Sequence, residues 1–321
     1  MTKFSFRTAM ISRRKFVGLT LQGAAVASLG SMANAANGAT QNLKLGNIPI
    51  VNFAAVYRLR AIAKDFGFEV EFVNFPSGTE RLNALAAGYI DGAGTGVTQP
   101  ILLRSKGVPL RIVSDLSRKG KGLIIGSGIQ KFADLRGKDI GSVPGSGPDI
   151  FLRQKLSDEG LNPERDVNLV NIDFLQMSTA VLGGRVAAAS SNEPQIASFE
   201  SKGGRVLSYL SDTKLGDIDG VMNFPDSFIK KDRGLAKAVV AGLARATREL
   251  HADPNLVVAT MADVVKVDKD VILRSLKNLE FTIKPDAKAL ANLAATMKEM
   301  KLIEREPAVD EYLDLSLVEG L

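Results

Sequence analysis

The chain has 321 residues, 45 % apolar and 24 % charged, which is long for one core and suits two modest domains. Its formal charge of +6 comes mostly from residues 1–35, which hold Lys3, Arg7, Arg13, Arg14 and Lys15 and no acid, so the remainder is close to neutral and nucleic-acid binding is not expected. The absence of cysteine excludes disulfides, thiol catalysis and thiolate metal sites.

Residues 1–35 have the three parts of an export signal: a basic start, a mildly apolar stretch from Val17 to Leu29, and the small-x-small pattern Ala33-Asn34-Ala35. Ser12-Arg13-Arg14-Lys15-Phe16 resembles the twin-arginine signal of proteins exported already folded, with Val17 and Gly18 where that pattern usually has Leu and Lys. No later stretch is apolar for the ~18 residues a membrane helix needs. With no cysteine to carry a lipid, the expected mature protein is periplasmic and free.

The next elements alternate. Leu43–Ile48 reads as a strand, Phe53–Phe66 as a helix closed by Gly67, and Val70–Phe75 as a buried strand. Pro76 ends that strand, Ser77 with Glu80 matches a capping box, and a short helix from Glu80 to Ala87 stops at Gly88. Ile90–Thr95 is a strand rich in small residues, Pro100–Lys106 is helical, and Leu110–Val113 is another short strand. The strand–turn–helix at Ser77-Gly78-Thr79 offers free N–H groups to a small anionic or polar ligand; read alone, it is equally a simple cap. Glycine and charge then crowd Ser117–Gly122, which marks a boundary or crossover. A second series follows: strand Ile140–Val143, turn Pro144-Gly145-Ser146-Gly147-Pro148, helix Asp149–Glu159, strand Val167–Ile172, helix Ser178–Leu182 and strand Val186–Ser190. Ala84–Ala93 aligns without gaps on Ala180–Ala189, which suggests two lobes of one architecture. Asp219–Phe224 would return the chain to the first lobe. The rest is helical: Lys231–Asp253, a helix opened by Asp253-Pro254, Asp268–Leu279 and Asp286–Met300. The expected fold class is α/β with mostly parallel sheets.

Several of these segments resemble one family. Lys64–Phe72 followed by Pro76-Ser77-Gly78, then Ala84–Asp91, Asp134-Leu135-Arg136-Gly137-Lys138 and Asn192-Glu193-Pro194, are similar to periplasmic solute-binding proteins for nitrate, taurine and alkanesulfonates, a family that includes binders of thiamine-pyrimidine precursors. The resemblance implies a type II-like, two-lobed fold with two crossovers, a helical C-terminal part on lobe 1, and delivery of a small solute to an ABC permease. It places a signal peptide at 1–35, lobe 1 at 36–130 and 218–321, and lobe 2 at 131–217. It puts the ligand against Asn52, Phe53, Ser77, Gly78, Thr79, Thr95, Gly96, Thr98, Gly145, Ser146, Gly147, Met177, Asn192 and Glu193, at strand C-termini where open α/β sheets bind ligands. Ser77 and Ser146, at two opposed helix N-termini, would hold an oxyanion from both sides. Glu193 either binds a cationic amine or orders its own loop. Arg81, Arg118, Lys119 and Lys121 either lend positive field to the cleft or are merely solvated. The expected ligand is an alkanesulfonate, taurine or similar small anion, with a pyrimidine or amine as the alternative, or else a sensor role without transport. No cofactor, metal or nucleic acid is expected, and the chain should be a monomer. His251 is the sole histidine and sits at a helix end, so neither a Ser-His nor a Cys-His arrangement is available and no enzymatic activity is expected.

Overall fold

The computed structural model describes residues 40–75 and 78–321, with Thr79 represented by its backbone only. The segment expected to be an export signal, residues 1–35, and Pro76-Ser77 lie outside the described residues. The chain runs β1 (Gln41–Asn47), α1 (Ala54–Ile62), β2 (Phe68–Asn74), α2 (Gly78–Ala86), β3 (Gly92–Gly96), α3 (Thr98–Ser105) and β4 (Leu110–Lys119). It continues through β5 (Lys121–Ile125), β6 (Asp139–Ser142), α4 (Gly147–Asp158), β7 (Asn168–Asn171), α5 (Met177–Leu182), β8 (Ala188–Asn192), α6 (Gln195–Ser201) and β9 (Arg205–Tyr209). Then come β10 (Ile218–Pro225), α7 (Asp226–Lys231), α8 (Arg233–Ala252), α9 (Pro254–Val265), α10 (Lys269–Ser275), β11 (Leu279–Phe281), α11 (Ala287–Glu299) and α12 (Val309–Tyr312).

The strands form two sheets, ordered β2-β1-β3-β10-β4-β11 and β7-β6-β8-β5-β9. Both are mixed, which corrects the expectation of mostly parallel sheets. β1 is parallel to β2 and β3, and β6 is parallel to β7 and β8, but β10 and β5 run against their neighbours. The reason lies in the crossovers. β10 and β5 each enter their sheet from the other one, starting where the parallel strands end: Gly220 lies opposite Gly96, and Lys121 opposite Asn192. The C-terminal edges of the two sheets therefore face each other across a cleft. Since β5 pairs in the second sheet, that sheet begins at Lys121, ten residues before the boundary expected at 131, and Ser117–Gly122 is the crossover itself.

Leaving out β11, the two sheets have the same strand order: second, first, third, incoming, last. The sequence echo falls on equivalent elements, α2–β3 and α5–β8. Gly88 and Gly184 both take positive φ (75° and 68°), and the next residue donates to the helix carbonyl five back, Tyr89 to Ala84 and Arg185 to Ala180, each at 2.9 Å. Two helices thus end on the same glycine cap, 96 residues apart.

Val239, Leu243 and Leu250 of α8 pack with Val56 and Leu59 of α1 and with Leu45 and Val113 of the first sheet. Leu290 and Leu293 of α11 share a core with Val97 and Ile101 and also with Leu123 and Leu156 of the second lobe, so α11 lies over the return crossover. Asp253 caps α9 through the Asn255 N–H, with Pro254 in its first turn.

Candidate ligand-binding site

The small residues of β3 leave room at the cleft edge of the first sheet. A methyl group on Gly94 would stand 2.7 Å from Asn47 Oδ1, and one on Gly220 would stand 2.9 Å from Phe53 Cε1. Phe53 therefore lies directly on the sheet, buried at the start of α1. Arg81 of α2 reaches the same edge. Its Cγ lies 3.1 Å from where a Cβ on Gly46 would be, and its guanidinium carbon is 5.8 Å from the Phe53 ring centroid. The guanidinium thus crosses the end of β1, between helices on opposite faces, at the point where β1 and β3 diverge toward their connections.

Arg81 is fully buried (0 % exposed), and among the described residues no carboxylate contributes to its electrostatics. Nη2 donates to Gln99 Oε1 at 3.0 Å, while Nε and Nη1 have no partner among the described residues. Burial lowers its pKa to about 10, opposed only by Tyr57. Tyr57 is itself pushed up to about 12 by burial and donates to Asn74 Oδ1 at 3.0 Å. An arginine has five N–H donors, and Gln99 takes one. Whichever Nη2 proton that is, one full two-donor edge of the fork remains for a bidentate oxyanion. Asn47, buried beside it, has both side-chain atoms unpartnered.

The second lobe is built differently. Ser146 caps α4 by accepting from the Asp149 N–H at 3.3 Å. The buried Asp149 carboxylate accepts from the Gly145 N–H (3.0 Å), the Ser142 hydroxyl (2.8 Å) and Arg153 Nε (3.1 Å). The turn expected to hold a ligand anion is thus already wrapped around an internal one. Thr98 Oγ1 donates to the Gly145 carbonyl at 3.3 Å across the cleft, so two expected ligand contacts meet each other. Beyond them Gly96 and Gly145 face open space, and Gly147 is near only the Lys121 side chain.

Glu193 is buried, with Oε2 accepting from the Ala197 N–H at 3.0 Å and Oε1 from Asn278 Nδ2 at 3.3 Å. Asn278, beside β11 of the first sheet, also donates to the Tyr209 hydroxyl at 2.5 Å, so this cluster fastens one lobe to the other. Burial pushes Glu193 up to about 7 and raises Tyr209 above its ordinary range. Met177 is buried under α5, its sulfur 3.0 Å from where a Cβ on Gly141 would be. Thr95 accepts from Asn223 Nδ2 at 2.6 Å within the first sheet. Asn192 Oδ1 is buried without a partner. Ser77 and the Thr79 side chain lie outside the described residues, while Gly78 packs against Gln99.

Of the four basic residues noted in the sequence, Arg118 and Lys119 make partly exposed ion pairs with Asp115 and Glu280. Lys121 is not solvated. Fully buried, it donates to Asp219 Oδ1 (3.0 Å) and the Ile218 carbonyl (2.8 Å), 4.4 Å from the Phe151 ring centroid. Asn52 Nδ2 donates to the other oxygen of Asp219. This buried group ties the two crossovers where they run side by side. Arg81, Gln99, Asn47 and Tyr57 were not among the expected contacts. The sequence offers Arg81 among four basic residues that could lend positive field to the cleft, and it falls 96 residues before Met177, a charge where the other lobe has a core residue.

A profile of the NMT1-like family matches residues 36–265. The chain belongs to the NMT1-like family. A putative ABC transporter periplasmic binding protein of Brachyspira hyodysenteriae is 24 % identical over 251 residues, 72 % of this chain and 71 % of that one. The alkanesulfonate-binding protein SsuA from Xanthomonas axonopodis pv. citri, solved with MOPS bound, superposes with a TM-score of 0.76 at 22 % identity, covering 87 % of this chain and 100 % of that one. The periplasmic nitrate-binding protein NrtA from Synechocystis gives a TM-score of 0.77 at 17 % identity, covering 87 % of each chain. This NMT1-like chain has the two-lobed periplasmic binding protein fold. Among the described residues, no cluster of histidine or acidic side chains is arranged to hold a metal ion, and no helix is long and apolar enough to cross a membrane.

Proposed function

We propose that this NMT1-like protein binds a small organic anion, such as an alkanesulfonate or taurine, in the cleft between its lobes and delivers it to an ABC permease. The observation that carries this reading is Arg81: a desolvated guanidinium that, among the described residues, has a free two-donor edge and no carboxylate partner. An unpaired buried charge costs several kcal/mol, which a ligand oxyanion offsets. The alternative of an anchoring amine loses its counter-ion, because both Glu193 oxygens are engaged. Ligand contacts to both lobes favour the closed arrangement that Thr98–Gly145 and Glu193–Asn278 already hold. The leader with Arg13-Arg14 directs the chain through the twin-arginine route to the periplasm.

The test is a thermal-shift panel on the mature protein with taurine, alkanesulfonates, nitrate, carboxylates and aminopyrimidines. A sulfonate at 100 times its Kd should stabilise the protein by about 2.7 kcal/mol. A response to aminopyrimidines alone overturns the anion reading.

A further inference from the structure

The strand registers allow the two lobes to be compared residue by residue. Gly46 pairs with Ala93 as Gly141 pairs with Ala189, and Asn223 pairs with Ala93 as Ile124 pairs with Ala189. The same shift of 96 residues places Arg81 on Met177, Thr95 on Ser191 and Gln99 on Gln195. Packing agrees: Arg81 lies over Gly46, and Met177 lies over Gly141.

In the first lobe the two acceptors of this set are satisfied. Gln99 Oε1 accepts from Arg81, and Thr95 Oγ1 accepts from Asn223. In the second lobe the acceptors are kept but both donors are replaced by apolar side chains, Met177 and Ile124. Gln195 Oε1 and Ser191 Oγ are buried and have no partner among the described residues, and the same holds for Asn192 Oδ1 between them in the chain. A buried amide oxygen left without a donor is costly, and nothing on Met177 or Ile124 can supply one. These three residues end β8 and open α6, on the edge that faces Arg81's edge across the cleft.

We infer that the ligand carries a hydrogen-bond donor at the end remote from its acid group, an amino or hydroxyl function received by Gln195 and Asn192 where β8 gives way to α6, while Arg81 takes the anion. This rests on the anion reading above and narrows it: an ω-amino or ω-hydroxy acid is preferred over the plain alkyl acid of the same length.

Calorimetry on the mature protein with two matched pairs of probes tests it: taurine against ethanesulfonate, and β-alanine against propionate. In at least one pair the donor-bearing compound should bind 10-fold or more tightly, and isethionate should side with taurine. Gln195→Met should reduce that preference to within about 2-fold by weakening only the donor-bearing probe, whereas Gln195→Glu, which keeps an acceptor, should retain it. Equal affinities within both pairs in the unaltered protein, or a preference untouched by Gln195→Met in a variant that melts like the parent, overturn the inference while leaving the anion reading intact. If no member of either pair binds, both fall together.

Discussion

The two lobes share one topology and even one helix cap, yet their seats at the cleft are chemically opposite. In the first, a charged side chain occupies the place of a core residue, and the fold makes room for it at Gly46. In the second, Met177 fills the same place and the loop closes on its own carboxylate, Asp149. The packing job over the strand glycine is thus done without charge in one lobe. A cation doing that job in the other is there for something beyond packing.

Arg81→Met makes the first seat like the second. It should weaken whichever anion stabilises the protein by roughly 1,000-fold, about 4 kcal/mol, measured by calorimetry. The ligand-free variant should melt no lower than the parent, since a desolvated charge has been removed. Retained anion affinity would erase the contrast between the lobes.

Glu193 differs from its first-lobe counterpart, Val97, in the same way, although both donate a backbone N–H at 2.9 Å to a crossover carbonyl, Gly120 for one and Asp219 for the other. Burial raises Glu193 from 4.5 to about 7, so the folded chain holds this proton more tightly than the unfolded chain does. Its contribution to stability is complete below the unfolded value and is lost as pH rises through the folded one, on the order of 3 kcal/mol in all. Glu193→Gln should flatten that part of the pH dependence in denaturant melts. Asp115, also raised by burial to about 7, should supply what slope remains.

A smaller effect separates the glycines. Gly46→Ala sets a methyl against Ile90 and Arg81 and should cost about 2 kcal/mol, whereas Gly141→Ala meets the flexible end of Met177 and should cost less than about 1 kcal/mol. Equal costs would mean that the Arg81 seat is no tighter than its counterpart. The smallest effect on ligand affinity is expected at Ser146. Ser146→Ala should remove about 1 kcal/mol of capping and leave ligand affinity within about 2-fold, because the Ser146 Oγ is occupied by the α4 backbone.

Much of this architecture is legible in the sequence. Periodicity places most helices and strands, the glycine stops at 88 and 184 are real caps, and the charged, glycine-rich Ser117–Gly122 marks the crossover. Strand direction is not legible, because the hydrophobic pattern of β10 is the same whichever way it runs. The pair α6 and β9 went unread: Arg205-Val206-Leu207-Ser208-Tyr209 follows two glycines and mixes charge with apolar residues, and every residue of it is at least partly exposed. The site was legible as a set of loops but not as chemistry. Arg81 reads either as a source of positive field for the cleft or as a solvated charge, and only the pairing of β1 with β3 shows that it lies across a strand end. Met177 and Thr95 were expected to touch ligand for their position in the loops, whereas alternation along the strand and the cover of α5 turn them inward.

The place of β10 also bears on how the chain acquires its structure. The second sheet is assembled from one continuous stretch, Lys121 to Tyr209, whereas the first has β10 at its centre, between β3 and β4. Residues 92–119 must wait for residue 218 and beyond before their strands gain a common neighbour. Local pairings form faster than distant ones, so the second lobe can complete itself while the first still has two unpaired strand edges. The proposed anion seat, whose Phe53 rests on Gly220 of β10, is therefore among the last parts of the molecule to form, and a chain halted before β10 would have the Arg81 helix but not the strand on which Phe53 rests.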